Sequence, residues 1–305
     1  MISDATTGKA SNKRRAADHK RLISGLLVGL FGLVVVGLGG WWFTIALGVI
    51  VHLGLLEFFR MAQFKGMRPA TKTTLVACQL LLISTQWSVN GGIASFLADA
   101  VLPLSGAAIC GWLLLQPVTG SIADIAASIF GLFYLGFLPS HWLRLRNLQA
   151  VDLAPLVDHI PWNWVSSGLL ITLMACLMVV ASDIGSYVIG RRFGQRPLSP
   201  ISPAKTIEGA YGGLLSAVLL GALAGELLEW PYGLFAGGCL GALVALFALV
   251  GDLTESMMKR DAGVKDSGDA LPGHGGILDR IDSYLFTPAV VFYVVTLVIP
   301  VMEQG

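Results

Sequence analysis

Charge is scarce in this chain of 305 residues: Asp, Glu, Lys and Arg make up 13% of it, about half the share found in ordinary soluble domains. Histidine and cysteine are scarcer still, with five and four copies. Cys78, Cys110, Cys176 and Cys239 all lie inside apolar stretches and show no CxxC spacing. That pattern excludes a disulfide framework and a cysteine zinc site, and leaves the four as small packing residues. A formal net charge of +1 supplies no field that would recruit nucleic acid, so none is expected as a partner.

What fills the chain instead is apolar: 55% of the residues, with a mean hydropathy of +0.74. Nine runs read as spans, each near the ~20 residues that cross a hydrocarbon layer of about 30 Å. They are Leu22–Leu38, Trp41–Phe59, Thr73–Val89, Ile93–Leu115, Ser121–Leu138, Ser166–Gly190, Gly209–Leu228, Tyr232–Val250 and Tyr284–Val301. They are rich in Leu, Gly and Ala and lack the alternation of barrel strands, so the predicted fold is an all-α polytopic integral membrane protein with about nine transmembrane helices. The first two runs nearly abut at Gly39–Gly40 and predict a tight hairpin. Three regions follow: a polar, basic, aperiodic tail over 1–21 that reads as disordered, N-terminal spans over 22–165, and a C-terminal unit over 166–305 whose polar segments fall at 191–208 and 251–283.

With nine spans and the N-terminus inside, 18 of the 20 cations share one face, and Arg144 and Arg146 alone take the other. This is the positive-inside asymmetry, and it predicts a cytoplasmic N-terminus and a cytoplasmic (inner) membrane as the location. Trp41, Trp42, Trp87, Trp142, Trp162, Trp164 and Trp230 are all expected near the outer boundary, as an interfacial belt.

Polar residues concentrate in two segments. One runs ASDIGSYVIGRRFGQRPLSPISPAKTIEGAYGG (181–213), the other GDLTESMMKRDAGVKDSGDALPGHGGILDRIDS (251–283). Of the 39 charged residues, 11 lie between Asp252 and Asp282, a count that a solvated loop would also give, so three further features carry the case. Asp252, Ser256 and Lys259 fall on one helical face with Glu255 adjacent, and Asp279 and Asp282 are three apart. Carboxylates at span ends are expensive, and functional where they persist. Like charges that close need a cation between them. The PGHGG stretch presents backbone N–H groups suited to phosphate oxygens.

An oxygen-only set with phosphate nearby points to a hard cation, Mg²⁺. Lys205, Lys259, Arg260, Lys265 and Arg280 could neutralise phosphate charge, as could Arg191 and Arg192. The combination reads as phosphoryl or nucleotidyl transfer to a lipid at a membrane surface. Asp183 either joins this site or pairs with a neighbouring cation, and His274 either donates to a phosphate or caps its own loop. Glu57, Asp99 and Asp124, in earlier spans, are expected to serve packing or hydrogen bonding. The prolines of RPLSPISPAK hold an extended connection.

At this point the residues resemble a known family. Ser256, Lys259-Arg260, Lys265-Asp266, Gly268, Leu271-Pro272, His274-Gly275-Gly276, Asp279-Arg280 and Asp282 keep the spacing of the phosphatidate cytidylyltransferase signature. The upstream ASDIGSYVIGRRFG and SPISPAKTIEGAYGG resemble that family's second conserved region, with Ile184 where Thr is usual and Ala204 where Lys is usual. The resemblance runs from about Ser166 to the C-terminus. It implies joining of CTP and phosphatidic acid into CDP-diacylglycerol with release of pyrophosphate, by a homodimer that uses Mg²⁺ with a monovalent cation such as K⁺. By motif position it implies a metal centre on Asp252 and Asp279 with Asp282 close by, and Ser182, Asp183 and Lys205 facing the same cavity. Two alternatives stay in view. A CDP-alcohol phosphotransferase should carry D-G-x-x-A-R…G-x-x-x-D-x-x-x-D, which does not occur here. An ion-coupled transporter should place its acids near mid-bilayer in broken helices.

Overall fold

The structure is a computed structural model that describes residues 29–89, 93–149, 154–162, 164–268 and 275–303. The basic tail over 1–21 and His274 lie outside the described residues. The architecture is all-α, with helix α1 Gly29–Leu38, α2 Gly40–Phe64, α3 Thr71–Ser88, α4 Ile93–Leu114, α5 Ile122–Arg146 and α6 Ser167–Phe193. A two-stranded hairpin follows, β1 Pro197–Ser199 and β2 Ser202–Thr206, then α7 Ile207–Leu227, α8 Gly233–Asp261 and α9 Leu278–Met302.

Among the described residues, seven of these helices (α2 and α4 to α9) are long and apolar enough to cross a membrane. The α3 helix, 18 residues with Lys72 and Gln79, is less apolar than those seven. The described part of α1 is too short. As expected, α1 and α2 meet at a turn, where Gly39 and Gly40 take φ of 62° and 50°, a region open to glycine at little cost. Arg146 seals that turn by donating to the Val36 and Gly37 carbonyls at 2.7 and 3.1 Å, so a cation sits on the negative end of α1.

The fifth span is longer than its sequence indicates: α5 continues past Leu138 to Arg146. A π turn at Phe133–Phe137 precedes Pro139, and another at Val294–Val298 precedes Pro300 in α9. Widening the turn moves the carbonyl that a proline ring would strike, so each helix passes its proline without ending. Trp142 and Trp230 are buried within the fold, and Trp142 donates to the Tyr284 carbonyl at 3.1 Å. Trp41, Trp42, Trp87, Trp162 and Trp164 are exposed.

The closest packing joins α7 to α6 on one side and to α8 on the other. Between α7 and α8 a Cβ on Gly221 or Gly237 would collide with the carbonyl of the other, so the backbones touch. In a medium where apolar side chains gain nothing from leaving water, such contact is the main source of helix adhesion. At one end of this stack the chain passes from α6 through the hairpin into α7, and from α8 into α9. Thr206 caps α7 by accepting from Gly209 N at 3.1 Å, which fixes β2 and its Lys205 beside the helix ends.

Candidate active site

The polar residues of both motif segments meet at that end. Lys205 on β2 lies against the Asp252 carboxylate on α8, and Ser283 on α9 donates to Asp183 on α6 at 3.5 Å. Four elements distant in sequence thus converge, which requires the two segments to emerge on the same face. Gly251 makes this approach possible: a Cβ there would collide with the Asp282 carbonyl, so α8 crosses α9 at its 3-10 turn, Asp282–Tyr284.

The last turns of α8 carry Asp252, Glu255, Ser256, Lys259 and Arg260. Lys259 Nζ sits 2.6 Å from Glu255 Oε2 and 2.5 Å from Asp279 Oδ1, bridging α8 to the first turn of α9. The other Asp279 oxygen accepts from Ser267 N, Ser267 Oγ and Gly276 N, each at 2.9 Å. Gly275 holds φ of 81° and Gly276 is buried, so this segment needs glycine both for its backbone angle and for space. Asp282 accepts from Ser283 N at 2.9 Å and lies within electrostatic reach of Lys205, Lys259 and Asp279. Asp183 lies within reach of Asp282 and Lys205 as well.

The expected residues do not all converge. Ser182 is buried against α7 at Gly213, and Ser256 is half-buried on α8. Arg260, Lys265 and Arg280 are exposed on the same end of the molecule. Two groups gain a place at the site that the sequence analysis did not assign them. Glu255, 1% exposed, stands four residues before Lys259, and its Oε1 has no hydrogen-bond partner among the described residues. Its i, i+4 spacing to Lys259 is the signal that could have found it. Tyr134, on the π turn of α5, is fully buried, and its hydroxyl also lacks a partner there while lying within electrostatic reach of Asp282 and Glu255.

Of the acids expected to serve structure, Asp124 forms a capping box with Ser121 and accepts from Arg68 N, and Asp99 pairs with Arg144 at 3.7 Å. Glu57 is bound into the site itself and accepts from Ser267 Oγ, Ile277 N and Leu278 N, each at 2.9 Å.

The electrostatics are lopsided. Asp183, Asp252, Glu255, Asp279 and Asp282 share the region, with Lys205 against Asp252 and Lys259 between Glu255 and Asp279. Burial pushes the Lys205 ammonium below the usual lysine range, while Asp282, Asp183 and Glu255 pull it back. Among the described residues no three His, Cys, Asp or Glu side chains are arranged as a metal cluster, and Lys205 and Lys259 lie against Asp252 and Asp279. The donor chemistry nonetheless fits a hard cation: every acidic donor is a carboxylate oxygen, and Glu255 Oε1 is buried with no hydrogen-bond partner among the described residues.

Comparison with known proteins agrees with this geometry. Residues 19–298 match the model of the Cytidylyltransferase family. The chain belongs to that family. It is 46% identical over 93% of its length to a phosphatidate cytidylyltransferase of Synechocystis, covering 99% of that relative. A chloroplastic phosphatidate cytidylyltransferase of Arabidopsis thaliana is 39% identical over 92% of this chain and 74% of its own. A phosphatidate cytidylyltransferase of Bacillus subtilis is 29% identical over 91% of this chain and 97% of its own.

Proposed function

We infer that this membrane protein is a phosphatidate cytidylyltransferase, making CDP-diacylglycerol and pyrophosphate from CTP and phosphatidic acid in phospholipid biosynthesis. The observation that carries the reading is the joining of the two motif segments: Lys205 on Asp252 and Lys259 on Asp279, at one end of a helical stack, in a chain matched to the family from 19 to 298. A transporter is disfavoured, because the acids gather at helix ends rather than midway along broken helices.

A phosphatidate oxygen attacks the α-phosphorus of CTP in line. The new P–O bond forms as the bond to the β-phosphate oxygen breaks, and pyrophosphate leaves with the electron pair. The attacking phosphate is already largely ionised near pH 7, its second pKa being about 6, so the reaction asks little of a general base. The protein supplies position and charge. Lys205 and Lys259 offset phosphate charge in a partly buried setting where such contacts are stronger than in water. Gly275 and Gly276 are proposed as phosphate contacts from their place in the motif, although Gly276 is buried and its N donates to Asp279. Asp252, Asp279 and Asp282 would hold Mg²⁺, accompanied by a monovalent cation such as K⁺. Such an ion, when bound, neutralises charge that builds on the phosphate oxygens. Arg260, Lys265 and Arg280 are exposed where the nucleotide would enter. His274 is proposed as a phosphate donor on sequence grounds alone.

The same reading places nine spans in the cytoplasmic membrane, the N-terminus and the site on the cytoplasmic side where CTP resides, and two copies in a homodimer. Eighteen of 20 cations on one face support the orientation. The test is pyrophosphate and CDP-lipid formation by purified protein given CTP, phosphatidic acid and Mg²⁺. Folded protein that yields neither product sinks the reading.

A further inference from the structure

We propose that Glu57, on α2 and far in sequence from both motif segments, is a positioning residue for cytidylyl transfer: it clamps the segment that carries Asp279. Three donors converge on one buried carboxylate. Ile277 N donates to Oε1 and Leu278 N to Oε2, while Ser267 Oγ reaches Oε2, all at 2.9 Å. Ile277 and Leu278 open α9, so a negative group satisfies backbone N–H donors that have no partner inside the helix and lies on its positive end.

Space says the same. A Cβ on Gly268 would come within 2.6 Å of Glu57 Oε1, and one on Gly276 would collide with Glu57 Oε2 and Ser267 Oγ. Two glycines of the motif segment are therefore small because Glu57 passes between them. Packing alone would not choose a carboxylate for that role, because burying one is costly unless donors surround it.

The clamp reaches the chemistry through one hydroxyl. Ser267 Oγ lies 2.9 Å from Glu57 Oε2 and 2.9 Å from Asp279 Oδ2, and Asp279 in turn holds Lys259 at 2.5 Å. A hydroxyl has one proton, so it donates to one carboxylate at a time and its position is set by both. Glu57 thus fixes Ser267, Ser267 fixes the Asp279 carboxylate, and Asp279 fixes Lys259. Glu57 touches no reacting atom in this scheme. A small displacement of Asp279 and Lys259 costs rate more than binding, since the loss falls on charge that develops in the transition state.

This inference rests on the cytidylyltransfer reading, and the two fail differently: absence of CDP-lipid from wild type fells that reading, whereas the clamp falls on the behaviour of its variants measured against wild type. Glu57→Gln, Ser267→Ala and the double variant are compared as monodisperse protein in detergent. The clamp predicts that kcat for Glu57→Gln falls about tenfold or more, with KM for CTP and phosphatidic acid within about twofold of wild type. It predicts that the double variant loses no more than the worse single one, because both act on one chain of contacts. Hydrogen exchange over 275–280 should quicken in Glu57→Gln without substrate, a readout independent of activity. If Glu57→Gln does not fold, Glu57→Asp and Ser267→Ala carry the test: both must show the same kcat loss and faster exchange. A kcat within about twofold of wild type, losses that multiply in the double variant, or unchanged exchange would each overturn the proposal.

Discussion

Lys259 Nζ stands 2.5 Å from Asp279 Oδ1, and that ion pair ties the end of α8 to the first turn of α9. Because Glu255 holds the same ammonium at 2.6 Å, one cation serves two largely buried carboxylates. Lys259→Met keeps the aliphatic stem and removes the charge. Stripping one partner from a buried pair costs roughly 3–5 kcal/mol. A drop of that order in unfolding free energy, with loss of turnover, is expected for Lys259→Met. A loss below about 1 kcal/mol would mean the pair behaves as a surface ion pair.

Asp279→Asn separates shape from charge. The amide oxygen can still accept from Ser267 N and Gly276 N, but its nitrogen cannot hold Lys259 or a cation. Turnover is expected to fall by about 100-fold or more, with membrane insertion and monodispersity intact. Near wild-type CDP-lipid formation by Asp279→Asn would remove this carboxylate from the site.

Lys205 sets an alkaline limb. Its pKa lies below the ordinary 10.5, chiefly because burial disfavours the charge. Turnover should therefore decline with a midpoint below 10.5 as Lys205 loses its proton, and Lys205→Arg should move that limb to higher pH. Stability follows a different course. Below the folded pKa the group is protonated in both states and adds no slope. Between the folded and unfolded values the unfolded chain binds the extra proton, so stability rises with pH. Equal alkaline midpoints for wild type and Lys205→Arg would assign the limb to another group.

Gly276→Ala tests the close approach at the site. The added Cβ would meet Ser267 Oγ and Glu57 Oε2. Overpacking of this kind costs about 1–3 kcal/mol, and turnover should fall with it. Gly111 on α4 has nothing within 4 Å of its Cβ position, so Gly111→Ala serves as a control with wild-type behaviour. If the two variants match in thermal unfolding and turnover, the crowding around Gly276 does not matter.

These outcomes bear on residues that sequence reading reached unequally. The helical spacing of Asp252 and Lys259 placed both on one face of α8, because charges in an otherwise apolar run are conspicuous. Asp279 was visible as an acid beside Asp282, but its pairing with Lys259 was not, since that contact joins two helices across a connection. Glu57 looked like a packing residue because its partners lie 210 to 221 positions away. The end of α5 was missed for a local reason: Pro139 resembles a stop, and only the π turn before it lets the helix run on to Arg146. Trp142 and Trp230, aromatic residues near span ends, turn inward, a choice of face that no local pattern shows.

The central claim is tested most directly by following purified protein in detergent with CTP and phosphatidic acid, measuring pyrophosphate and CDP-lipid together. The account predicts both products in equal amounts when Mg²⁺ is present, neither after chelation, and recovery when Mg²⁺ is returned. Pyrophosphate without CDP-lipid, or CDP-lipid that forms undiminished in excess chelator, would contradict it.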